Sequence, residues 1–452
     1  MEKPYTILWY SISNLLDTSN GAAISNKFIL EQLAAMNCKV IVLCTDAMDN
    51  ESGSVVYDRI VPQVELKSGF LRDFNLDSLH YYVVQTQGKK LDYIQQQDQN
   101  NLWNIFVRLL DVYEPDLMMG FAPDLFSLSL RREAQTRGIP CAYALCNASH
   151  ECFRFPDCDL VFTNSYALAS YYERISEHTA KVKHFGVCID EKRVKAAHKA
   201  ENPRYITYVN PSHNKGISIF IKTALAFKER HPDSQYRFLI VKNRADYNAT
   251  VQALVHKNGE RFITKENSQY VMSNIDVAEH TEAMNEVYSI SKVVMMPSLC
   301  NEAWGMVATE ANVNGVPVIA SNLGGLPEAI GRKVVINDDS SATFDDSVLG
   351  GILIDPPQAV KDNNCVVPDD KEIKPYLDAL ESILADYETY SQKAYEAANY
   401  NACDKSLERL VGMIKPLLEQ GRKNKQPHDK SFFLTPYFLR KLHDESRQGS
   451  QS

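Results

Sequence analysis

The chain lacks the sequence patterns of several common protein classes. None of its ten cysteines forms a Cys-x-x-Cys pair, and no Cys/His spacing suits zinc, so no zinc module is indicated. The Gly-x-Gly-x-x-Gly fingerprint of dinucleotide-binding domains is also missing, which argues against an NAD enzyme. No segment approaches the roughly 20 apolar residues that a membrane-spanning helix needs.

The chain has no excess of basic side chains. It has 48 Lys and Arg against 57 Asp and Glu, a formal net charge of -9, which argues against a broad nucleic-acid-binding face. A single phosphate can still be held by one helix end and one lysine. Unpatterned cysteines and a start without a signal-peptide cleavage pattern predict a cytoplasmic protein. Peripheral contact with a membrane stays compatible with the sequence.

The order of hydrophobic patterns predicts two α/β domains. With roughly 100–200 residues per domain, a 452-residue chain has room for two or three. Strand-like and helix-like segments alternate through 1–185 and again through 204–420, as in parallel sheets covered by helices on both faces. The polar stretch 186–203 is predicted to be a linker. For the tail, 421–452, the sequence leaves open whether it crosses back to the first domain.

The stretch NEAWGMVATE follows the apolar run VVMMPSLC and places Glu302 and Glu310 eight residues apart. We predict a strand, a turn with glycine, and then a helix over 304–314. Because the first N–H groups of a helix lack intrahelical partners and carry partial positive charge, this turn could hold a diphosphate. Glu302 would then accept hydrogen bonds from sugar hydroxyls, and Glu310, about two turns further on, would reach a ribose. Solvated or ion-paired glutamates are the alternative interpretation.

Three other turns follow predicted strands and precede predicted helices. YVNPSHNKG contains Lys215, which could neutralise a leaving diphosphate or be an ordinary surface lysine. DTSNGAAIS contains Gly21, where backbone N–H groups could face a ligand or simply form a capped turn. SNLGGLPEA contains a glycine pair that also suits a plain turn.

Together these residues resemble the retaining glycosyltransferases of family 4. The stretch PSLCNEAWGMVATEANVNGVPVIASNLGGLPEAIG, 297–331, is similar to that family's Pro-Ser, Glu-x7-Glu, Gly-x-Pro-Val-Ile and Gly-Gly-x-x-Glu signature, and NPSHNKG resembles its donor-phosphate loop. The resemblance implies an α/β GT-B fold, with two Rossmann-like doubly wound domains facing across a cleft. The N-terminal domain would bind the acceptor, and the C-terminal domain would bind the nucleotide-sugar donor.

The resemblance also implies an activity and a set of site residues. The enzyme would move a hexose, with retention, from a nucleotide diphosphate sugar, with UDP as the expected nucleotide, to an acceptor hydroxyl in glycan or glycoconjugate biosynthesis. No metal or cofactor is expected. Glu302 and Lys215 would be catalytic, and Phe121 and His150 are candidates on the acceptor side. The expected donor-binding residues are Gly21, Asn210, Lys215, Ala303, Trp304, Gly305, Met306, Val307 and Glu310.

The sequence departs from the family pattern at two positions. Asn210 stands where the phosphate loop often carries arginine, and Phe121 stands where many members have a histidine. Because of these differences, a non-catalytic GT-B protein that binds nucleotide sugars or acts as a scaffold is an alternative hypothesis. An NAD-dependent oxidoreductase is a further alternative, based on the doubly wound pattern alone. The acceptor could be a glycan, a lipid carrier, a small metabolite or a protein.

Overall fold

The computed structural model of the chain describes residues 3–90, 93–122, 124–150, 158–243, 246–337 and 341–424. The chain forms two compact units. The first comprises the residues up to 163, residues 172–183, and the residues from 407 onwards. The second comprises residues 164–171 and 184–406.

The first unit is built on a nine-stranded sheet of order β3-β4-β5-β2-β1-β6-β7-β8-β9. Its strands are β1 (Tyr5–Ser11), β2 (Cys38–Thr45), β3 (Leu66–Lys67), β4 (Leu71–Leu76), β5 (Leu79–Val84), β6 (Leu117–Phe121), β7 (Cys141–Leu145), β8 (Leu160–Thr163) and β9 (Val182–His184). Its helices include α1 (Gly21–Ala35), α2 (Val55–Ile60), α3 (Gln96–Tyr113), α4 (Leu125–Thr136) and the end of α5 (Tyr166–Ile175). Strands β5, β2, β1, β6, β7 and β8 pair in parallel, as the alternating pattern predicted.

Residues 46 to 110, which match no recognisable pattern in the sequence, add an antiparallel edge to this sheet. β4 pairs antiparallel with both β3 and β5. The tight turn at Asp77 and Ser78, both with positive φ, joins β4 to β5. A small β-meander therefore extends the parallel core of the first domain. The alternation of apolar and polar residues along the sequence did not make it obvious.

The second unit contains a six-stranded sheet of order β12-β11-β10-β13-β14-β17, in which all described pairings are parallel. Its strands are β10 (Tyr205–Val209), β11 (Arg237–Val241), β12 (Ile275–Ala278), β13 (Ser291–Met296), β14 (Val318–Ser321) and β17 (Gly351–Ile354), beside a separate antiparallel ribbon of β15 (Lys333–Ile336) and β16 (Ala342–Asp345). Its helices include α6 (Glu191–Val194), α7 (Ile217–Arg230), α8 (Tyr247–Gln252), α9 (Ser268–Val271), α10 (Met284–Ile290), α11 (Met306–Val313), α12 (Leu326–Ala329), α13 (Gln358–Asp362), α14 (Asp370–Ala385), α15 (Tyr387–Tyr400) and the start of α16 (Cys403–Lys423).

Helices cover both faces of the second sheet. Apolar residues of α7 and α14 form one core cluster with the strands, and residues of α10, α11 and α12 form another. Because a strand covered on both faces buries every side chain, β13 has the continuous apolar sequence VVMM. The predicted doubly wound arrangement is confirmed in this unit.

The stretch 186–203, predicted to be a linker, is packed into the second unit. Val187, Ile189 and Val194 are buried in the same cluster as α11. The Asn314 side chain fastens the segment further, because it accepts a hydrogen bond from the Ala196 amide at 2.8 Å and donates one to the Val194 carbonyl at 3.0 Å. These three apolar residues therefore indicate packing against the second unit, but the high average polarity of the stretch 186–203 hid that signal in the sequence.

The end of the described chain belongs to the first unit. α16 leaves the second unit at Leu407, before the predicted boundary at 420. Near its end, Arg422 forms an ion pair with the buried Asp116 at 3.4 Å, and its guanidinium lies 3.7 Å from the Tyr5 ring centre. Of the predicted tail, 421–452, residues beyond 424 lie outside the described residues.

One predicted helix has different bounds. The helix expected over 304–314 is α11, which spans only Met306–Val313 because Gly305, with φ of 110°, is its N-cap. Further along the chain, the helical stretch 370–400 is divided at Asp386 into α14 and α15. Periodicity located these helices, but their ends depend on backbone geometry that periodicity does not report.

Candidate functional site

The loop that follows β13 packs against the glycine pair that follows β14. A side chain on Gly324 would place its Cβ 2.7 Å from the Glu302 amide nitrogen, and one on Gly325 would come within 2.6 Å of the Ala303 carbonyl oxygen. The Gly325 amide donates a hydrogen bond to the Glu302 carbonyl at 2.8 Å. The glycine pair thus allows close backbone contact that fixes the position of Glu302.

The loop that follows β10 packs against the same region from its other side. Gly216 has φ of 79°, and a Cβ there would lie 2.0 Å from the Pro297 carbonyl oxygen, so only glycine fits. The Leu299 amide donates a hydrogen bond to the Asn214 carbonyl at 2.8 Å. These contacts bring the NPSHNKG loop beside the Glu302 loop.

Lys215 and Glu302 meet as a result of this packing. The Lys215 ammonium contacts Oε1 of Glu302, and the Ser298 hydroxyl donates a hydrogen bond to the same oxygen at 2.8 Å. The Lys215 side chain is 27 % exposed and that of Glu302 is 13 % exposed. The two predicted catalytic residues therefore form a partly buried ion pair at the carboxyl ends of β10 and β13, where ligands bind in parallel α/β sheets.

Helix α11 presents an uncapped N-terminus beside this ion pair. Among the described residues no side-chain cap is found for its first turn, which begins at Met306 and Val307 after Ala303, Trp304 and Gly305. Such a helix end offers unpaired N–H groups and partial positive charge to an anion. The Trp304 side chain has a different role, because its indole is buried and donates to the Thr309 hydroxyl at 2.8 Å. Only the Trp304 backbone is placed at the turn.

Glu310 lies on α11 and is held by a tyrosine that the sequence analysis did not single out. The hydroxyl of fully buried Tyr288 donates to Oε2 of Glu310 at 2.6 Å. Burial raises the pKa of Glu310, while the Tyr288 hydrogen bond and the charge of Arg193 oppose that rise. The carboxylate is therefore oriented by α10 and keeps its other oxygen, Oε1, outside the Tyr288 hydrogen bond.

The rest of the NPSHNKG loop is shaped by residues on either side of Lys215. Asn210 ends β10 with φ of 63°, a conformation that asparagine tolerates, and its amide donates to the Val241 carbonyl at 3.0 Å. His213 lies 3.6 Å from the Cys365 thiol through its Nδ1, and burial lowers the pKa of His213. This loop therefore has a histidine of lowered pKa and an asparagine beside its single lysine.

Three polar atoms at the ends of β11 and β12 are buried without hydrogen-bond partners among the described residues. They are Oδ1 of Asn243, Nε2 of His280 and Oε1 of Glu282. Val241 pairs with Ala278 in the sheet, so Asn243 and His280 each lie two residues past the same register point. A buried polar atom without a partner costs free energy, and a bound ligand could supply the missing hydrogen bonds.

Glu328, in the Gly-Gly-x-x-Glu part of the signature, is placed differently from the other two glutamates. Its carboxylate accepts hydrogen bonds from the amides of Tyr166 and Ala167, at 2.9 Å each, at the start of α5. Burial raises its pKa to about 7, against the lowering effect of these two bonds. Glu328 therefore acts as the N-terminal cap of a helix.

The predicted turn at Gly21 lies in the first unit and is largely satisfied by its own side chains. The Asn20 side chain accepts hydrogen bonds from the amides of Ala22 and Ala23, at 2.9 and 3.3 Å, at the start of α1. Gly21 is exposed beside this cap. Unlike α11, helix α1 begins with its first N–H groups already paired to a side chain.

The two acceptor-side candidates are close to each other in the first unit. Phe121 ends β6, and its ring centre lies 6.4 Å from that of Tyr143 on β7. His150 contacts the same tyrosine, with ring centres 6.3 Å apart, and its amide donates to the Tyr172 hydroxyl at 3.1 Å. Phe121 and His150 therefore belong to one aromatic cluster at the carboxyl ends of β6 and β7.

Among the described residues, no group of three or more His, Cys, Asp or Glu side chains is arranged to hold a metal ion. A search of the same residues found no helix that is both long and apolar enough to cross a membrane.

The comparisons with known proteins cover different parts of the chain. Residues 189–348 match the family model "Glycosyl transferases group 1". A stretch of 116 residues is 34% identical to D-inositol 3-phosphate glycosyltransferase from Corynebacterium glutamicum, which is 26% of this chain and 26% of that protein. The matches thus span only about a quarter to a third of the curated relatives' length.

Two solved structures are similar over nearly the whole chain. A glycosyltransferase from Rickettsia africae has a TM-score of 0.64 and 11% identity, covering 92% of this chain and all of its own. HepE from Anabaena, in complex with UDP and glucose, has a TM-score of 0.60 and 14% identity, covering 91% and 100%. At such low identity these similarities concern the fold, and they confirm that the chain has the predicted two-domain α/β architecture.

Proposed function

We propose that this chain, which belongs to the glycosyl transferases group 1 through residues 189–348 and has the GT-B fold, transfers a sugar from a nucleotide diphosphate sugar to an acceptor hydroxyl. The observation that carries the proposal is the meeting of Lys215 and Glu302 beside the uncapped start of α11. A lysine and an open helix end at the carboxyl edge of a parallel sheet suit an anion, and the acid beside them suits the hydroxyls of a sugar.

The proposed donor lies along three features of the second unit. Its diphosphate would contact the Lys215 ammonium and the backbone of residues 303–307, and its sugar hydroxyls would donate to Glu302. Its ribose would donate to Glu310, which Tyr288 holds in place at 2.6 Å. Because Lys215 and Glu302 form an ion pair, donor binding would replace that pair with two charge-assisted contacts.

The proposed reaction proceeds with retention at the anomeric carbon. As the bond between that carbon and the diphosphate oxygen breaks, negative charge accumulates on the departing phosphate. Lys215 and the dipole of α11 would stabilise this charge, and the same phosphate oxygen would take the proton of the attacking acceptor hydroxyl. No protein base is required in this scheme, which is compatible with Phe121 at the position where many family members have histidine.

The proposed nucleotide is UDP and the proposed sugar is a hexose. The base would lie against Asn243, His280 and Glu282, whose unpartnered atoms offer acceptors and an imidazole nitrogen. Uracil has an N–H group between two carbonyl groups. Its N–H group suits an acceptor oxygen of Asn243 or Glu282, and its carbonyl groups suit a donor such as the His280 imidazole. Guanine also has an N–H group next to a carbonyl, so it is the base that a test must separate from uracil.

The remaining parts of the proposal concern the acceptor and the setting. Phe121 and His150 of the first unit are the proposed acceptor-side residues, and Gly21 is a proposed donor-binding residue. We propose a role in glycan or glycoconjugate biosynthesis, in the cytoplasm, without metal or cofactor. The acceptor class, whether glycan, lipid-linked, small molecule or protein, is left to experiment.

A non-catalytic nucleotide-sugar-binding protein is the second candidate. The observation that favours it is Asn210, which leaves Lys215 as the single cation of its loop where the family often has an additional arginine. Such a protein would bind the donor and release no nucleotide. Oxidoreductase activity is not proposed, because the family match concerns glycosyl transfer.

A thermal-shift panel with UDP-, GDP- and ADP-glucose tests the donor assignment, since a ligand that binds only the folded state raises its melting temperature. We expect the largest shift with UDP-glucose, and slow release of UDP in a hydrolysis assay. A larger shift with GDP-glucose would contradict the base assignment alone. No shift with any donor would contradict the proposal, and a shift without nucleotide release would favour the non-catalytic protein.

A further inference from the structure

Two cysteines outside the proposed donor site lie against each other in the second unit. Cys188 is buried in the segment between β9 and α6, and Cys403 is the half-buried first residue of α16. The Cys188 thiol lies 3.7 Å from the Cys403 carbonyl oxygen and donates to it. Although 214 residues separate them in the sequence, the fold brings both side chains to one place.

The Cys188 side chain also affects the ionisation of Cys403. It lowers the pKa of the Cys403 thiol, while burial and the charges of Asp404, Glu191 and Asp190 act in the opposite direction. Because the thiolate is the form that reacts with oxidants, a half-exposed cysteine with a lowered pKa and a second thiol at hand has the arrangement found in redox-sensitive sites.

The other described cysteines with shifted pKa values have raised pKa values, unlike Cys403. Burial raises the pKa of Cys44 to about 12 and that of Cys146 to about 11, which keeps both as thiols. Burial also raises the pKa of Cys300 and Cys365, the two cysteines nearest to Lys215 and Glu302. Cys403 therefore stands apart as the more readily ionised member of the set.

We propose that Cys188 and Cys403 are an oxidation site that closes to a reversible intramolecular disulfide in the presence of a peroxide. The Cys403 thiolate attacks the O–O bond of the peroxide, which gives a sulfenic acid and a released hydroxide. The Cys188 sulfur then attacks the Cys403 sulfur, so that an S–S bond forms, the S–O bond breaks, and the hydroxide leaves with the thiol protons as water. Two thiols lose two electrons, and one hydrogen peroxide becomes two waters.

The disulfide would join two segments that pack near the signature helices. Val187 and Ile189, on either side of Cys188, are buried with Trp304 and Ala308 of the α11 region. Asn401, two residues before Cys403, donates to the Glu328 carbonyl at 2.9 Å. Oxidation would therefore tie the start of α16 to the segment that lies against α11.

Peroxide treatment of the full folded chain tests this proposal without reference to sugar transfer. The chain is exposed to hydrogen peroxide, its remaining thiols are alkylated, and its non-reduced tryptic peptides are analysed by mass spectrometry. We expect a cross-linked peptide pair containing Cys188 and Cys403, lighter by two hydrogens than the two thiol peptides, which dithiothreitol converts back to the thiols.

Single variants separate the two roles. In Cys188→Ser, Cys403 should stop at the sulfenic acid and be labelled by dimedone, whereas in Cys403→Ser, Cys188 should remain a thiol. Cys146→Ser is the matched control and should still form the cross-link. The proposal is wrong if Cys403 of the wild-type chain stays a thiol under conditions that oxidise Cys365 or Cys146. It is also wrong if Cys403 forms a disulfide with a cysteine other than Cys188. In both cases an unchanged circular dichroism spectrum shows that the chain is still folded.

Discussion

The carboxyl ends of the two parallel sheets use their polar residues in different ways. In the first unit, two carboxylates in the loops after β1 and β2 are already hydrogen-bonded: Asp17 accepts from the Ser19 and Asp49 amides, and Asp46 accepts from the amide and hydroxyl of Thr86, while Nδ2 of Asn14 is a buried atom without a partner among the described residues. In the second unit, the loops after β11 and β12 leave buried polar atoms of Asn243 and Glu282 without partners among the described residues.

Under the proposed function, this difference separates polar residues that stabilise a loop from polar residues whose hydrogen-bond partner would be the bound donor. A carboxylate whose oxygens already accept backbone amides contributes to stability, and replacing it costs folding free energy. A polar group that meets its partner only in the complex contributes to binding instead. Mutating the same residue types at corresponding ends of the two sheets should therefore lower stability in the first unit and ligand binding in the second.

The largest expected effect is at Lys215. Replacing it with alanine removes the cation that would stabilise the leaving diphosphate, which should cost about 2–4 kcal/mol in the barrier, or roughly 30- to 1000-fold in kcat/KM. Glu302→Ala should abolish transfer while the chain still folds, since Glu302 lies on a loop. Both effects are measured as the rate of UDP release from UDP-glucose.

Lys257→Ala is the matched control for these variants. Lys257 belongs to the same unit and pairs with Asp369 and Glu372, each at 2.8 Å, but lies outside the proposed site. Its removal should leave kcat/KM within about twofold, as expected for an exposed ion pair. Equal losses in the Lys215 and Lys257 variants would show that any lysine loss harms the unit, and the proposed role of Lys215 would fail.

The second prediction concerns the pH dependence of stability and Glu328. Because burial raises its pKa from 4.5 to about 7, the folded chain keeps a proton that the unfolded chain releases between about pH 4.5 and 7. The free energy of unfolding should therefore fall as pH rises through this window, by at most about 3 kcal/mol. In Glu328→Gln this part of the fall should disappear.

Urea unfolding at pH 5 and pH 8, followed by circular dichroism, measures the effect as the difference between the wild type and the variant. Glu396→Gln, at an exposed position on α15, serves as the control and should show the wild-type pH dependence. The same difference between the two pH values in wild type and Glu328→Gln would contradict a raised pKa for Glu328.

The smallest expected effect is in the first unit. Asn20→Ala removes the cap of α1 and should lower the free energy of unfolding by about 1 kcal/mol, and Asn20→Ser should recover most of that loss. UDP affinity should change little, because the Asn20 side chain is occupied by the Ala22 and Ala23 amides. A large loss of UDP affinity with unchanged stability would show that the Asn20 side chain contributes to ligand binding, and the difference drawn between the two units would be wrong.

Much of the fold could be predicted from the sequence because its signals are local. The continuous apolar run before Glu302 required a strand covered on both faces, and the following glycine and helix pattern located α11. The same reasoning missed the burial of Val187, Ile189 and Val194, since the helices they pack against lie about 90 or more residues further along the chain. It also missed the β-meander of residues 66–84, whose pairing depends on turn geometry.

The site was predictable in its motif residues and not in the residues that support them. Glu302 and Lys215 stand in recognisable motifs, and the structure brings them into contact. Tyr288, Asn243 and His280 lie in no motif. The position of α10 brings Tyr288 to Glu310, and the strand register aligns Asn243 with His280. Trp304, which stands inside the motif, is directed into the core by its hydrogen bond to Thr309.

The most direct test of the central claim is a structure of the chain with UDP bound. The account predicts that the Lys215 ammonium moves from Glu302 to a diphosphate oxygen, at about 3 Å, with that diphosphate at the start of α11. A bound UDP whose diphosphate lies away from α11, with the Lys215–Glu302 contact unbroken, would contradict it.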